Sequence, residues 1–506
     1  MKMRNKILEF GNLTDLKKEN KSKKVVHCHG VFDLLHHGHL KHFCLAKNYG
    51  DILVVTITPD RFVNKGPGRP HFTEAKRAEM LAALEVVDYV AINEAPTAIP
   101  AIGALKPDFF VKGPDYKNKD SDITGAILEE EDAVRSVGGK LVFTDDETDS
   151  STRLINAFLS PWDEDQKKAI DDLKAGWSIL DLLGLIDRMK GLKVLVIGEP
   201  IVDTYIFCQP ENLSSKSPSI SSRFISREDY AGGSLAIGRH LDALGCDVTL
   251  LYTHGGEDYF LDLLARYREE TACQVESVEL RGIPTPRKTR YIEPFGAQRM
   301  FELIDVRHDQ WEHADPSDFI EILSRHSISY DMTMVADFGH GLLEGPVLEQ
   351  LNKAEGVIAL NVQTNSENYG FNRFDKHEHY DYLSIDEREC RLGMHDRSTP
   401  IEQLAKQTYE RIHKPFSITL GGRGSLYFDP DGKEYFCPTY FREVIDTTGA
   451  GDAYFMMSSL LRGLGAFGIA IPFLSNLFAG LKTRIIGNSK AVQKVDLIRT
   501  VESLLS

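Results

Sequence analysis

Apolar and polar positions follow two different periods in the first third of the chain. Short apolar runs, "KKVVHCH", "DILVVTIT" and "DYVAIN", predict strands. The stretches between them, "HHGHLKHFCLAKNYG" and "TEAKRAEMLAALEVV", carry apolar residues at helical spacing. This order predicts βαβ units and a parallel sheet, to which "KPDFFVKG" and "GKLVFTD" add two further strands.

A second α/β region opens at "KVLVIGEPIVDTYIF". Its predicted strands include "DVTLLYT", "MTMVADF", "VIALNV", "YDYLSID" and "FSITLGG", and "SLAIGRHLDALG" predicts a helix. Between the two regions, "SPWDEDQKKAIDDLKAGWSILDLLGLIDRMKG" shows helical periodicity without a strand. We therefore expect an N-terminal domain over 1–159, a helical linker over 160–190 and a second domain over 191–506. Both domains belong to the α/β class.

Length, charge and cysteine usage narrow the class of protein. A chain of 506 residues is too long for one hydrophobic core. It has no apolar run near the roughly 20 residues of a membrane span, and its basic start lacks the apolar core of a secretory signal. Seven cysteines without a C-x-x-C pair suit a reducing compartment. With a net charge of −16, we expect a cytoplasmic protein that binds neither nucleic acid nor membrane.

Histidines cluster around the first predicted strand and helix, which raises a metal-binding hypothesis. His27 and His29 share one face of the strand, and Cys28 and Cys44 are near in sequence. However, no pair of thiol or acidic ligands has the spacing of a structural zinc site. A core or solvated role is the alternative for any single histidine.

A nucleotide site explains more residues of "GVFDLLHHGHLKH". Gly30 allows close backbone approach after the strand, and Asp33 starts the turn. His36 and His39 then fall on the first turn of a helix, whose N-terminus attracts anions. Two imidazoles at this spacing can donate to phosphate oxygens as charge builds in a transition state.

The stretch "GVFDLLHHGH" resembles the H-x-G-H signature of the nucleotidyltransferase superfamily, and the resemblance covers about residues 24–158. The later stretches "RPHFTEAKRAEMLAALEVVDYV", "KPDFFVKGPDYK" and "DSSTRLI" resemble further blocks of that family. The resemblance implies a Rossmann-like domain in which His36 and His39 act on the nucleotide phosphates. It also implies nucleotide contacts by Gly30, Phe32, Asp33, Lys47, Arg77, Lys112, Gly113, Asp115, Ser150, Ser151 and Thr152.

Within this superfamily, the sequence of these stretches most resembles that of the adenylyltransferases of bifunctional heptose enzymes, which join AMP to heptose 1-phosphate. A cytidylyltransferase acting on a polyol phosphate is the alternative. It is disfavoured because "DETDSSTRLI" does not resemble the R-T-x-G-I-S-T-T block of those enzymes.

The second domain carries "DTTGAGDAY" over residues 446–454. Gly449 and Gly451 allow a tight turn whose N–H groups converge on an anion at the start of a helix. Asp452, on the first helical turn, can take the proton of an attacking hydroxyl. A plain glycine-rich connection would explain "GAG" alone, but the flanking Asp and Thr residues favour the phosphate site.

This stretch resembles the signature of the ribokinase-like (PfkB) sugar kinases, and the resemblance covers about residues 190–490. It implies a ribokinase-like fold with Asp452 as general base, Asp386 and Glu389 as indirect Mg²⁺ ligands, and ATP as a substrate. The nucleotide contacts that it implies are Gly421, Gly424, Thr448, Gly449, Ala450, Gly451 and Asn476. The implied sugar contacts are Asp203, Gly232, Gly233, Lys288 and Arg290.

The pairing of the two domains implies a bifunctional enzyme. One half would phosphorylate a sugar phosphate, heptose 7-phosphate at C1, and the other would form ADP-heptose and pyrophosphate. The kinase comes second here, in reverse of the order in the bifunctional heptose enzymes, and the resemblance allows a homodimer. Ala236 and His340 depart from the kinase pattern, so a sugar-phosphate-binding protein with an inactive kinase half is a further alternative.

Overall fold

The computed structural model describes residues 6–63, 69–113, 126–144, 162–213, 219–293, 298–326, 330–441 and 443–505. They form two compact units, Met1–Pro161 with Arg499–Ser506, and Trp162–Ile498. Among the described helices, none is long and apolar enough to cross a membrane.

The first unit contains a six-stranded sheet in the order β1-β4-β3-β2-β5-β6, and all its strands are parallel. Its strands are β1 (Ile7–Leu8), β2 (Val25–Gly30), β3 (Ile52–Ile57), β4 (Tyr89–Ile92), β5 (Phe109–Lys112) and β6 (Lys140–Phe143). Its helices are α1 (Leu13–Glu19), α2 (His37–Lys47), α3 (Glu74–Ala82), α4 (Ile99–Leu105) and α5 (Ala126–Ser136).

Burial on both faces explains why the central strands of this sheet are apolar runs rather than alternating patterns. All six residues of β3 are buried. Its pairing with β2 joins Val25 to Ile52 at one end and Gly30 to Ile57 at the other. The carboxyl ends of these two strands therefore meet at one edge of the sheet, beside the start of α2.

The second unit contains two sheets. Its strands are β7 (Lys193–Gly198), β8 (Pro200–Leu213), β9 (Ile220–Gly233), β10 (Asp247–His254), β11 (Gln274–Glu279), β12 (Arg287–Glu293), β13 (Gln298–Asp305), β14 (Met332–Asp337), β15 (Ile358–Val362), β16 (Tyr382–Asp386), β17 (Phe416–Thr419), β18 (Ser425–Phe428) and β19 (Glu434–Cys437). The large sheet has the order β11-β10-β7-β14-β15-β16-β17-β18-β19. It is parallel as far as β17, and β18 and β19 continue it antiparallel.

The remaining helices are α6 (Glu164–Gly176), α7 (Ile179–Asp187), α8 (Ser234–Ala243), α9 (Asp258–Glu270), α10 (Ser317–His326), α11 (Gly345–Leu351), α12 (Glu387–Gly393), α13 (Ile401–Ile412), α14 (Ala450–Gly463), α15 (Ala470–Lys482) and α16 (Lys494–Leu505). The predicted linker contains α6 and α7, and α6 packs within the second unit. The Gln166 side chain donates to the Thr439 carbonyl (2.6 Å), and the Tyr440 hydroxyl donates to the Gln166 carbonyl (3.2 Å).

The stretch "KVLVIGEPIVDTYIF", at which the second α/β region opens, is divided between the two sheets. β7 ends at Gly198 in the large sheet, and β8 begins at Pro200 in a four-stranded sheet of order β13-β12-β8-β9. In this small sheet Asp203 pairs with Lys288 of the parallel strand β12. The small sheet thereby contributes charged residues to the second site.

Candidate functional site

The first candidate site lies where β2 leads into α2. His36 is the N-cap of α2, and its Nδ1 accepts the N–H of Gly38 (3.1 Å). The ring centroids of His36 and His39 are 3.9 Å apart. The two imidazoles therefore lie together at a helix N-terminus, as predicted from their spacing, where N–H groups and the helix dipole favour an anion.

Phe32 supports this pair of histidines from the turn. Its backbone is left-handed (φ 50°), and its buried ring meets the His39 ring edge-on at 5.3 Å between centroids. A Cβ on Gly30 would lie 2.9 Å from the Phe32 ring. Gly30 is therefore needed to make room for Phe32, in addition to the close backbone approach expected from the sequence.

Asp33 is buried and holds the turn to the segment before α3. Its Oδ1 accepts the N–H of Phe72 (3.0 Å), and its Oδ2 lies 3.4 Å from Arg69 Nη1. Burial lowers the pKa of Arg69, although the neighbouring Asp33 opposes that shift. The sequence reasoning missed Arg69, a cation that the structure places beside this turn.

Arg77 is fully buried, and its donors are committed to the protein. It donates to the carbonyls of Val31, Thr58 and Phe72, and it pairs with Asp60 at 2.6 Å. These bonds join the segments after β2 and β3 to the start of α3. They favour a positioning role over the nucleotide contact that the resemblance implied.

Lys47 lies in the last turn of α2, and its Nζ donates to the Asp51 carbonyl and pairs with Asp88. The helix from His37 to Lys47 has 11 residues, so Lys47 lies roughly 15 Å from the histidines at its other end. The structure does not bring this lysine to the predicted phosphate site.

The histidines of β2 bind threonine side chains. His27 Nε2 and His29 Nδ1 both lie within hydrogen-bond distance of the Thr56 hydroxyl, at 2.7 and 2.8 Å. Burial, assisted by the charge of Lys112, lowers the pKa of His27 to about 3, and it also lowers that of His29. Both rings are therefore neutral, and their hydrogen bonds to Thr56 join β2 to β3 near the carboxyl ends of these strands.

Lys112 ends β5 and forms an ion pair with Glu130 at 2.7 Å. Gly113 follows it, and a Cβ there would meet no atom of another described residue within 4 Å. The other predicted contacts of the first domain lie outside the described residues: Asp115, Ser150, Ser151 and Thr152.

The second candidate site is built around the N-terminus of α14. Gly449 is its N-cap, in a left-handed conformation (φ 76°), and Ala450 and Gly451 begin the helix. Asp446 accepts the N–H groups of Thr448 (3.0 Å) and Gly487 (2.7 Å). Burial raises the pKa of Asp446, but these hydrogen bonds outweigh it and hold the pKa below its ordinary value. A fixed carboxylate thus shapes the turn before the helix.

Asp452 is buried in the first turn of α14, and its Oδ1 accepts a hydrogen bond from Gln363 Nε2 (2.5 Å). Burial raises the pKa of Asp452 to about 6, against the opposing effects of the Gln363 bond and the charge of Lys288. A carboxylate whose pKa lies near neutrality is suited to general-base catalysis.

The small sheet supplies the predicted sugar-binding residues to this site. Arg290 donates to Asp203 Oδ1, and Asn488 donates to Asp203 Oδ2 (3.2 Å). A Cβ on Gly232 would lie 2.3 Å from Asp203 Oδ2, so the glycine makes room for the carboxylate. Gly233 follows with a positive φ of 60° and is the N-cap of α8.

Lys288 adds a second cation to this site. It makes no side-chain hydrogen bond with another described residue, and burial lowers its pKa. Its charge acts on both Asp203 and Asp452. The structure therefore brings the predicted sugar-side lysine together with the predicted base.

Two predicted nucleotide-side residues meet at one backbone carbonyl. Asn476 Nδ2 donates to the Cys437 carbonyl (2.7 Å), and a Cβ on Gly424 would lie 2.1 Å from the same oxygen. Gly421 and Gly424 flank the 3-10 turn after β17 with positive φ values of 60° and 112°. The Asn476 amide therefore fixes the backbone beside this turn.

The two predicted magnesium residues form a capping box at α12. Asp386 Oδ1 accepts the N–H of Glu389 (2.7 Å), and Glu389 Oε2 accepts that of Asp386 (2.6 Å). Burial raises the pKa of both carboxyls. Glu389 is buried and Asp386 is half-buried. Two carboxylates this close fit a cation held through water, because a positive charge would offset their repulsion.

Three further residues of the second site escaped the sequence reasoning. Arg299 pairs with Asp446 at 2.6 Å, and Lys482 Nζ donates to the carbonyls of Thr448 and Gly487, each at 2.7 Å. Burial lowers the pKa of Lys482 to about 8. The third is Gln363, which directly follows β15. Its place at a strand end could have identified it, whereas Lys482 lies in an apolar helix without such a signal.

Comparison with known proteins agrees with the two-part reading. Residues 27–157 match the cytidylyltransferase-like family, and residues 349–466 match the pfkB family of carbohydrate kinases. The chain therefore combines a cytidylyltransferase-like N-terminal domain with a C-terminal PfkB domain, which confirms the predicted families and fold class.

Two curated relatives carry the name Bifunctional protein HldE. The protein of Hyphomonas neptunium is 26% identical over 54% of this chain and 56% of its own length. That of Geobacter metallireducens is 40% identical over 29% of each chain. The chain thus matches about half, or less, of the length of these relatives.

One solved structure extends the comparison of the fold. A crystal structure of a putative ribokinase from Agrobacterium tumefaciens superposes with a TM-score of 0.51 at 16% identity, over 62% of this chain and 98% of that one. At this identity the match establishes a ribokinase-like fold for the second unit.

Proposed function

We propose that the second unit transfers the γ-phosphoryl group of ATP to a hydroxyl of a sugar phosphate, with Asp452 as general base. The observation that carries this proposal is the position of Asp452 at the N-terminus of α14. Burial raises its pKa to about 6, and Gln363 orients one carboxylate oxygen. The other oxygen is left to accept the proton of the sugar hydroxyl.

In the transfer, the hydroxyl O–H bond breaks and its proton passes to Asp452. The same oxygen forms a bond to the γ-phosphorus as the bond to ADP breaks. The N–H groups at the start of α14 stabilise the charge on the transferred group. Mg²⁺ held through water by Asp386 and Glu389 would supply neutralisation of the ATP phosphates.

Asp203, Lys288 and Arg290 bind the sugar phosphate in this proposal. Arg290 and Asn488 each donate to one oxygen of Asp203, and the carboxylate keeps further lone pairs that can accept a sugar hydroxyl. Lys288, without a hydrogen bond to a described residue, supplies a charge for an anionic substrate.

The first unit transfers AMP from ATP to a sugar 1-phosphate and releases pyrophosphate. An oxygen of the sugar phosphate attacks the α-phosphorus, and the bond to pyrophosphate breaks. His36 and His39, together at the start of α2, donate to the phosphate oxygens as charge builds. Heptose 7-phosphate as the kinase substrate and ADP-heptose as the final product follow from the resemblance to the bifunctional heptose enzymes.

The test combines Mg-ATP with D-glycero-D-manno-heptose 7-phosphate and follows products by mass spectrometry, with Asp452→Asn as the matched control. We expect a bisphosphate with the unchanged chain and at least a hundredfold less with the variant. If the folded chain binds the sugar phosphate but does not turn over ATP, the result would instead support a binding protein with an inactive kinase half.

The first unit is tested separately with heptose 1-phosphate. We expect pyrophosphate release with ATP, little with CTP, and loss of it in His36→Ala and His39→Ala. Preference for CTP would overturn the adenylyltransferase assignment in favour of a cytidylyltransferase.

A further inference from the structure

His340 lies in the turn that follows β14 and is buried, and among the described residues neither of its ring nitrogens has a hydrogen-bond partner. Its backbone is nonetheless fixed, since its N–H donates to Glu199 Oε1 (3.1 Å). A buried polar group normally has a hydrogen-bond partner, so the placement of this imidazole needs a physical explanation.

Two further side chains with metal-ligating atoms face this imidazole. His308 Nε2 lies 2.8 Å from Glu367 Oε2, and the same oxygen lies 3.9 Å from His340 Nδ1. One ligand atom from each of the three residues fits within a mutual distance of 4.8 Å. Among the residues that the structure describes, no other group of three or more His, Cys, Asp or Glu residues brings its ligand atoms this close together.

The separations suit a small metal ion. Tetrahedral zinc with bonds of about 2.0–2.1 Å places its ligand atoms about 3.3–3.5 Å apart. The observed separations of 2.8 and 3.9 Å lie on either side of that value. Small side-chain rotations of the half-exposed His308 and Glu367 would bring all three atoms to metal-bonding distance.

The backbone around the group holds the ligands in place. Gly339 and Gly341 flank His340 with positive φ values of 68° and 105°, and a Cβ on Gly341 would lie 2.4 Å from the Trp311 ring. The N–H of Glu367 donates to Asn365 Oδ1 (2.9 Å). These contacts fix the backbone positions of His340 and Glu367.

We propose that His308, His340 and Glu367 bind a divalent transition-metal ion, Zn²⁺ in the first instance. Two imidazoles and one carboxylate favour Zn²⁺ over Mg²⁺, which prefers oxygen ligands and keeps several waters. Three protein ligands leave a fourth position open to water or to an anion. This site is distinct from Asp386 and Glu389, and it does not depend on either proposed activity.

The test uses the full chain, freed of metal with a chelator and then kept in excess Mg²⁺. Isothermal titration with Zn²⁺ measures stoichiometry and affinity, and the visible absorption of bound Co²⁺ reports tetrahedral coordination. We expect one site with a tetrahedral Co²⁺ spectrum. In His340→Ala we expect its affinity to fall at least tenfold and the spectrum to disappear.

His379→Ala is the matched control, because His379 is an exposed histidine of the same unit. It should bind Zn²⁺ as the unchanged chain does. His308→Asn and Glu367→Gln change half-exposed side chains, so they test the site without the cavity that His340→Ala creates, and thermal unfolding verifies that each variant is folded. Zn²⁺ binding of equal affinity in all three ligand variants would overturn the proposal, as would no binding by the folded, unchanged chain.

Discussion

The side-chain amide of Gln363 donates to the Asp452 carboxylate across 2.5 Å and joins the end of β15 to the first turn of α14. Gln363 Nε2 also lies 2.9 Å from Asn361 Oδ1, so the amide is itself held from the large sheet. The bond stabilises the ionised form of Asp452 and opposes the effect of burial on its pKa. Gln363 is therefore a positioning residue for the proposed base.

This relationship predicts a pH dependence. Because the base must be ionised, kinase kcat/KM should fall as the pH falls through about 6, the pKa to which burial raises Asp452. Gln363→Leu removes a bond to the charged form, so the acidic limb should move to higher pH by about one unit. Kinetics between pH 5 and 9 measure this shift. Gln350→Leu, a substitution on α11, should leave the limb in place, and an unmoved limb in Gln363→Leu would exclude the positioning role.

A second prediction separates Arg77 from Lys47, to which the resemblance gave the same role. Arg77→Lys should destabilise the first unit by about 3 kcal/mol, because buried carbonyls lose the guanidinium donors. Lys47→Met should cost at most about 1 kcal/mol, since its pair with Asp88 is 30% and 36% exposed. Hydrogen exchange of amides in β2 and β3 measures both. If Arg77→Lys has normal stability but a raised KM for ATP, the result would support the nucleotide contact that the resemblance implied for Arg77.

Sequence spacing predicted the positions of His36 and His39 correctly, but it could not predict the role of Arg77. The spacing of His36 and His39 was enough to place them together, because residues three apart share a helix face. An arginine within a helical pattern carries no comparable signal. Whether Arg77 faces a nucleotide or three carbonyls depends on loops that meet it only in the folded chain.

A third prediction concerns buried His27. Burial lowers its pKa to about 3 in the folded chain, whereas the unfolded chain has the ordinary value of about 6.5. The unfolded state binds more protons between these values, so stability is lost as the pH falls below about 6.5. From pH 7 to pH 5 the loss from this group is about 2 kcal/mol.

His27→Gln should remove that part of the pH dependence. The measurement compares hydrogen exchange of β2 amides at the two pH values in the variant and in the unchanged chain. His37→Gln, which changes an exposed histidine, serves as control and should keep the full dependence. Equal pH dependence in all three chains would show that His27 is not the group responsible.

The fold was predictable where strands are buried on both faces and less so elsewhere. "DILVVTIT" and "MTMVADF" became β3 and β14, whose described residues are all buried. β9 is mostly exposed along its length, so it lacks the apolar run on which strand prediction depends. The small sheet, and with it the pairing of Asp203 with Lys288, could therefore not be seen in the pattern alone.

A fourth prediction tests the turn before α14 with two alanine substitutions. Gly449→Ala places a side chain at φ 76° and a Cβ 2.8 Å from Asn488 Oδ1. It should therefore destabilise the second unit by about 1–3 kcal/mol as well as lower kinase activity. Gly451 has ordinary backbone angles, and a Cβ there meets no atom of another described residue within 4 Å. Gly451→Ala should therefore leave stability within about 1 kcal/mol of the unchanged chain.

The two variants separate the fold from the anion site. If the open space at Gly451 receives the transferred phosphoryl group, Gly451→Ala should lower kinase kcat/KM at least tenfold with its melting temperature unchanged. Steady-state kinetics and thermal unfolding of both variants give the comparison. Full activity in Gly451→Ala would mean that the phosphates bind away from this residue.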